Sequence, residues 1–489
     1  MCWTSLCFVG LLLAQQAAPN AASRQNTEGL RLLDQGRVQE AAARFRQALE
    51  HDPENVEALS NLGVLLRGQG EAATAIPLFR HALRLRPDDA HLHSNLALAL
   101  RDAKLLNEAV AEMQQACSLE PRDAALQRNL GVLLTENGDD EGAEKELRRA
   151  LELDSRSADT HQALARLLVK EKRSHEASVE YRRALEISPQ QPALHFELAQ
   201  LYQAKGEPAK AKEEFRAAIR LAPQEPHYHH AFGNALLQAG EWTVAEEELR
   251  RAVELAPQSG EFRRDFGAVL RRAGKIEEAI EQLRRAAELI PADSATHFML
   301  AQALQKAGRN EEAEAERRAA EERTRTQKDR ELAASLNNQG TSLLQGGKMD
   351  EAAAKFREAI QLDPDDALAQ YNLGVALLLE KQLDDSIAQF QKALRMQPDM
   401  PDAHYYLGRA YLAGGANAEA AQSLSLATRL VPGDAHAHNA LAVALARMEE
   451  WKRAEEEAGE ALRLAPNEPD FAHNLACVRK RAQGCSLAP

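Results

Sequence analysis

The amino-acid sequence predicts an all-α fold, a right-handed α-solenoid of about thirteen helix–turn–helix units of 34 residues with a capping helix at the C-terminal end. Three observations support this prediction. Ala, Leu, Glu and Arg, which favour helices, dominate the 489 residues, whereas aromatic residues make up only 4%. Prolines recur at a fixed step, and small and large residues stand at fixed distances from them.

The prolines form two ladders with a step of 34 residues. The first ladder consists of Pro53, Pro87, Pro121, Pro189, Pro223, Pro257 and Pro291, with Ser155 in its one gap, and the second of Pro364, Pro398, Pro432 and Pro466. Five additional residues separate the ladders. A period of this length is typical of stacked helical hairpins, in which proline ends one unit and sets the turn into the next.

Small residues mark the first helix of each unit and large ones the second. Ten residues after each ladder position comes Gly or Ala, as at Gly63, and eight residues before it usually comes a large apolar residue, as at Phe79. A small residue allows two helices to approach closely, and a large one fills the space between them. Glycines such as Gly36 and Gly70 fall where the first helix must end.

The segment ALSNLGVLLRGQGEAATAIPLFRHALRLRP, from Ala58 to Pro87, resembles the tetratricopeptide repeat. The resemblance covers residues 22–468 apart from the five-residue insert, and the repeats are similar to those in the superhelical domain of O-linked N-acetylglucosamine transferases. It implies a helical scaffold that binds other proteins or peptides in a concave groove lined by first helices. The catalytic domain of those transferases has no counterpart in this sequence.

A break in the pattern predicts two arrays. Arg317 takes the large apolar position, Arg325 takes the proline position, and residues 321–331 contain no apolar side chain. Glu28 and Gln339 are polar residues that stand directly before the small residue of their repeats. A polar residue there suits the outer face of a capping unit.

We therefore expect a first array at 22–320, a charged helical seam at 321–332, a second array at 333–468, and a capping helix and tail at 469–489. One continuous superhelix with a locally loosened seam is the alternative interpretation.

Residues 1–21 are predicted to be a signal peptide with a short leader. The apolar segment from Cys7 to Ala14 precedes several small residues, as in secretory signals, although no Lys or Arg precedes Cys7. Cleavage would make the protein secreted or periplasmic, and without it the protein would be cytoplasmic. No other apolar run is long enough to cross a membrane, so the mature chain is expected to have no transmembrane segment.

Several functional classes are disfavoured. The sequence contains no glycine-rich phosphate loop, nucleophile elbow, HExxH or CxxC motif, and the repeats leave no room for a catalytic domain. A net charge of −14 would repel the phosphate backbone of nucleic acid. We expect a protein that is not an enzyme and binds no cofactor, metal ion or nucleic acid. The sequence does not indicate an oligomeric state.

Candidate ligand-binding residues lie on the first helices. Six asparagines stand two residues before the small residue of their units: Asn61, Asn95, Asn129, Asn338, Asn372 and Asn474, of which the first five are the candidate binding residues. An amide both donates and accepts hydrogen bonds, so a row of them can bind a peptide main chain of any sequence. The row resembles the asparagine ladder of the transferase superhelix, although asparagine can also be a neutral filler at this position. Arg67 and Arg101, six residues further on, could pair with acidic groups of a ligand or remain solvated.

Histidines occupy another repeated slot, four residues before the small residue: His93, His161, His195, His229, His297, His404 and His438. Equivalent residues on successive repeats should be about 10 Å apart, too far to share a metal ion. Packing between helices, or polarity tuned by pH, is the favoured interpretation.

The sequence thus predicts a non-catalytic scaffold whose concave groove binds peptide segments or helices of partner proteins. The alternative is an accessory or substrate-presenting subunit of a glycosyltransferase or of a polysaccharide or secretion assembly system.

Overall fold

The computed structural model describes residues 20–481 and Leu487. Within these residues all regular secondary structure is helical, in 26 α-helices. The chain divides into two compact units, Met1–Leu289 and Ile290–Pro489. The predicted all-α solenoid of short helical hairpins is confirmed. The predicted signal peptide and leader lie outside the described residues, except for their last two positions.

Helices of the first unit alternate between first and second helices of successive repeats. They are α1 (Ala21–Asp34), α2 (Val38–His51), α3 (Val56–Gly68), α4 (Ala72–Leu85), α5 (Ala90–Asp102), α6 (Leu106–Leu119), α7 (Ala124–Asn137), α8 (Asp140–Leu153), α9 (Ala158–Lys170), α10 (Ser174–Ile187), α11 (Pro192–Ala204), α12 (Pro208–Leu221), α13 (Pro226–Gln238), α14 (Trp242–Leu255), α15 (Gly260–Arg272) and α16 (Ile276–Leu289).

Helices of the second unit continue the pattern with one exception, α18. They are α17 (Ser294–Lys306), α18 (Asn310–Gln345), α19 (Met349–Leu362), α20 (Ala367–Leu379), α21 (Leu383–Met396), α22 (Pro401–Ala413), α23 (Asn417–Leu430), α24 (Ala435–Arg447), α25 (Trp451–Leu464) and α26 (Pro469–Lys480). No helix in the region 20–481 combines the length and the apolar character that crossing a membrane would require.

The small residue and the large residue of one repeat touch each other inside the hairpin. A Cβ atom added at Gly63 in α3 would lie only 2.7 Å from Cζ of Phe79 in α4. At Gly131 the added atom would lie 2.6 Å from Cγ of Leu147. Both large side chains are fully buried. The pattern of small and large residues in the sequence therefore corresponds to a close approach of the two helices within these repeats.

First helices end in a left-handed residue. Glycine holds positive φ at Gly36, Gly70, Gly138, Gly206, Gly240, Gly274, Gly308, Gly347 and Gly415, as predicted. Four repeats place another residue at the equivalent position: Lys104 (φ 65°), Lys172 (63°), Lys381 (63°) and Glu449 (62°). These four positions carry a steric cost that glycine would avoid.

A single 36-residue helix, α18, runs through the predicted seam. It combines the second helix of the ninth repeat, residues 321–332, and the first helix of the tenth repeat. The expected helical character of the seam agrees with this helix. The boundary between the compact units lies at Leu289 and Ile290 rather than at the seam. The division into arrays at 321–332 therefore stays a prediction.

Replacing Gly63 with Ala should destabilise the first unit by about 1–3 kcal/mol, since the new methyl group would press into the Phe79 ring. The third repeat pairs Ala97 with Met113, and methionine adapts its shape more readily than phenylalanine. Adding Phe79→Met should therefore offset part of the loss. Urea unfolding of the two single variants and the double variant measures the coupling. Purely additive losses would contradict the close approach.

Replacing Lys104, Lys172 or Lys381 with Gly should raise the melting temperature, because a left-handed residue with a Cβ atom costs roughly 1–2 kcal/mol. The matched control is Gly70→Lys, which should lower the melting temperature by a similar amount. Circular dichroism during heating provides the measurement. An unchanged or lower melting temperature for all three glycine variants would show that these turns are not strained.

Candidate binding surface on the first helices

Polar side chains join the first helices of consecutive repeats. In each pair, the first residue stands three positions before the small residue of its repeat. The second residue stands two positions before the small residue of the next repeat, so the two are 35 residues apart in the sequence. The pairs are Asn26–Asn61 (2.9 Å), Gln162–Glu197 (2.9 Å), His230–Asp265 (2.8 Å), Asn337–Asn372 (2.9 Å) and Asn439–Asn474 (2.8 Å). These two slots therefore lie where neighbouring first helices meet, and we call them the first-helix surface.

The predicted asparagines divide into two groups. Asn61 and Asn372 each donate an amide hydrogen to an asparagine of the preceding repeat. This role in joining repeats was missed in the sequence, although the paired asparagines were visible there.

The other three asparagines make no such bond. Asn95 is partly exposed, and its side chain has no hydrogen bond in the part of the chain that the structure describes. The Asn129 amide oxygen accepts only a long bond, 3.3 Å, from Arg128. Asn338 is exposed. Asn95 and Asn129 lack an inter-repeat bond because the partner slots hold Ser60 and Ser94, whose side chains are short.

Both predicted arginines already face carboxylates. Nη1 of Arg67 lies 3.7 Å from Oδ2 of Asp102, on the next first helix. Arg101 lies 3.2 Å from Oδ1 of Asp102 and 4.0 Å from Oε2 of Glu136. Burial lowers the pKa of Arg67. An acidic ligand would compete with these internal pairs, and ligand binding by the two arginines stays a prediction.

An aromatic group on the second unit was missed in the sequence. Tyr371 in α20 and Tyr405, Tyr406 and Arg409 in α22 form what we call the tyrosine–arginine cluster. The rings of Tyr371 and Tyr406 are 5.9 Å apart, and those of Tyr405 and Tyr406 are 5.1 Å apart. Burial raises the pKa of Tyr371 and of Tyr405. The detectable signal was tyrosine in three of the four positions that these two slots occupy in consecutive repeats.

Six of the seven histidines in the repeated slot make the same pair of contacts. Nδ1 lies 2.6 Å from Oε2 of a glutamate on the second helix of the same repeat, in His93–Glu112, His161–Glu180, His195–Glu214, His229–Glu248, His297–Glu316 and His438–Glu457. Nε2 faces the backbone carbonyl six residues earlier, in the turn before the first helix, as in His229–Pro223 at 3.1 Å. Each histidine thus joins a first helix, a second helix and a turn.

At His229 the two contacts favour the charged imidazolium. A carbonyl and an ionised carboxylate only accept hydrogen bonds, so both ring nitrogens must donate. The hydrogen bond to Glu248 raises the pKa of His229 against the opposing effect of burial. His404 is the exception: Ser423 replaces the glutamate, and Nδ1 is buried without a hydrogen bond.

The dense histidine group at His227, His229 and His230 separates in the structure. His229 binds Glu248, His227 packs on Phe262, and His230 approaches Asp265.

Donor atoms of His230, Glu261 and Asp265 lie within 4.8 Å of one another, a grouping that could hold a cation. Arg264 already lies 2.9 Å from Asp265, however. Burial opposes ionisation of Asp265, but hydrogen bonds from His230 and Arg264 outweigh it and lower its pKa. The positive charge that Asp265 requires is thus already supplied.

Comparison with known families supports the repeat assignment. A model of the tetratricopeptide repeat matches residues 26–90, 94–158, 230–294, 264–330, 298–366, 337–401 and 382–435, and a second model with the same description matches residues 168–233. These ranges cover well over half of the chain. No curated protein matches the sequence.

Several solved structures share the helical repeat architecture. The APC/C hetero-tetramer Cut9–Hcn1 is 17% identical, with 94% of this chain and 96% of that chain covered and a TM-score of 0.35. A tetratricopeptide repeat protein from Parabacteroides merdae is 17% identical (51% and 99% covered, TM-score 0.43), and pilF from Pseudomonas aeruginosa is 23% identical (42% and 95%, TM-score 0.37). Because these TM-scores are low, the fold assignment depends on the helices and the family match.

The raised pKa of His229 predicts a pH-dependent stability. Pairing with Glu248 stabilises the folded state fully below about pH 6.5, the ordinary histidine value, and this stabilisation is lost as pH rises through the higher folded-state pKa. His229→Gln should therefore reduce the fall in unfolding free energy between about pH 6 and pH 9, by roughly 1 kcal/mol or less because Glu248 is partly exposed.

The matched control is His404→Gln, which removes a histidine that has no glutamate partner in the equivalent place. It removes no bond to a glutamate, so it should not reproduce the effect of His229→Gln. Urea unfolding at the two pH values gives the measurement. Equal effects of the two substitutions would contradict the role assigned to Glu248.

Proposed function

The chain belongs to the tetratricopeptide repeat family, whose repeats form scaffolds for binding other proteins, and from this premise we propose that the first-helix surface of the first unit binds an extended peptide segment of a partner. Asn95 and Asn129 are the proposed main-chain contacts. The observation that carries the proposal is that these two amides, in consecutive repeats, are not used to join the repeats.

The spacing of the two asparagines suits an extended chain. Equivalent positions on packed neighbouring helices are about 10 Å apart. An extended peptide advances about 3.3 Å per residue, so the two amides would reach main-chain groups roughly three residues apart. Each amide can donate to a peptide carbonyl and accept from a peptide N–H, which makes binding independent of the side chains at those residues.

Charged residues beside the asparagines would add selectivity. Two arginines, Arg67 and Arg101, stand four residues after the small residue of their repeats. They and their carboxylate partners lie near the ends of the first helices. These pairs are partly exposed, so a ligand carboxylate can exchange for Asp102 or Glu136 at little net cost. The expected partner segment is therefore extended, with polar contacts at its backbone and charge at its edges.

The test uses random peptides displayed on phage and selected against the full-length chain. The variant Asn95→Ala with Asn129→Ala should weaken a class of selected peptides by about tenfold, since each amide contributes roughly 0.5–1.5 kcal/mol. Its melting temperature should stay near that of the parent chain, because neither amide joins repeats.

The matched control replaces two exposed asparagines on second helices, Asn107 and Asn310, with Ala. It should leave peptide affinity unchanged. Asn61→Ala should instead lower thermal stability, because it breaks the bond to Asn26. Full affinity in the Asn95 and Asn129 variant for every selected peptide would refute the proposal.

A further inference from the structure

Arg409 lies on a first helix, as do five arginines that pair with carboxylates. Arg67, Arg101, Arg128, Arg166 and Arg264 each pair with a carboxylate of their own or the next first helix. Across residues 20–481, Arg409 forms no ion pair. Its positive charge is therefore not neutralised within that part of the protein, in a chain whose net charge is −14.

Tyrosine rings fix the position of this guanidinium. Its central carbon lies 5.6 Å from the ring centre of Tyr405 and 5.7 Å from that of Tyr406. Tyr371 in the preceding repeat contacts Tyr406 and closes the group on one side. Cation–π attraction and a hydrogen bond with Tyr405 orient the guanidinium, and its five N–H groups leave donors for a ligand.

Two carboxylates beside the cluster act on its tyrosines. Asp402 contributes to the raised pKa of Tyr371, and Asp434 to that of Tyr405. Asp434 is also engaged locally, since its Oδ1 accepts the backbone N–H groups of His436 and Ala437 at the start of α24. Neither carboxylate forms an ion pair with Arg409.

Apolar side chains extend the cluster along α20. Leu368, Tyr371, Val375 and Leu379 recur at three- and four-residue intervals, so they share one face of the helix. Leu368 is 50% exposed and Leu379 is 54% exposed, which is unusual for leucine in this repeat. Aromatic and arginine side chains beside exposed apolar ones are the composition that dominates binding energy at protein interfaces.

We infer that the tyrosine–arginine cluster binds an Asp or Glu carboxylate in an acidic, apolar segment of a partner protein. The carboxylate accepts two N–H groups of Arg409, and a neighbouring apolar side chain packs on Tyr371 and the exposed leucines of α20. Because Arg409 and the surrounding rings are partly buried, the charged hydrogen bonds are stronger there than on an open surface. The inference rests on the proposed function, and it adds a second site with its own ligand chemistry.

A carboxylate suits this site better than a phosphate. A phosphate carries nearly two negative charges and three acceptor oxygens, and it is typically bound by several arginines. Arg409 is the single arginine of the cluster, and one guanidinium matches one carboxylate in charge and in its two-pronged geometry.

The experiment uses the same phage-displayed random peptides and the full-length chain. Selected sequences that bind the second unit should be enriched in Asp or Glu beside apolar residues. Arg409→Glu should weaken the affinity for these peptides by about 10- to 100-fold, because the charged hydrogen bond is lost and the charge at the site is reversed. Changing the acidic residue of the peptide to its amide should cause a similar loss in the parent chain and little further loss in the variant.

The matched control is Arg395→Glu, which makes the same charge change at an exposed position of the second helix α21. It should leave affinity unchanged, and both variants should melt like the parent chain. Binding that responds to Asn95 and Asn129 but never to Arg409 would overturn this inference alone. Absence of any selected peptide would overturn the proposed function as well. Binding of a phosphoserine peptide, but not of its glutamate counterpart, would exclude the carboxylate.

Discussion

The close approach of two helices at one small residue determines where every other side chain of a repeat can lie. At Gly63 the space for a single Cβ atom is already occupied by Phe79. The residues two and three positions earlier, such as Asn61, therefore point away from that contact and toward the neighbouring first helix. The residue four positions earlier, the repeated histidine, reaches the second helix instead. One steric constraint thus distributes the remaining side chains between joining helices, joining repeats and facing a ligand.

Repetition converts these local contacts into the stability of the stack. A solenoid is stabilised by each repeat and by each junction between neighbours, with no single core to compensate for a weak junction. The asparagine pairs act at those junctions, and the histidine–glutamate contacts act within single repeats. The His229 ring links two helices and the turn after Pro223 through one charged group. His404 lacks the glutamate contact and keeps only the contact of Nε2 with the Pro398 carbonyl.

Periodicity explains what the sequence could predict and what it could not. The hairpins and the left-handed glycines recur every 34 residues, so they could be predicted before the structure was known. The bond from Asn61 to Asn26 joins two different slots 35 residues apart, and that register becomes evident only when helices are placed side by side. The unbroken α18 was also not predicted. In hindsight Arg325 stands where proline would end the helix, and a charged helix that meets no proline can continue.

Comparing each residue with its equivalents in other repeats separates structural roles from roles in binding. Asn61, Asn372 and Asn474 make the same bond, so that bond is a property of the repeat rather than of a ligand site. Asn95 lies in the same slot but lacks the amide partner, and Arg409 lacks the carboxylate partner that Arg166 has at the equivalent position. A polar group with unused hydrogen-bonding capacity tolerates such a position only where water or a ligand can reach it. The positions where the repeated contacts fail are therefore the ones at which we propose that a partner protein binds.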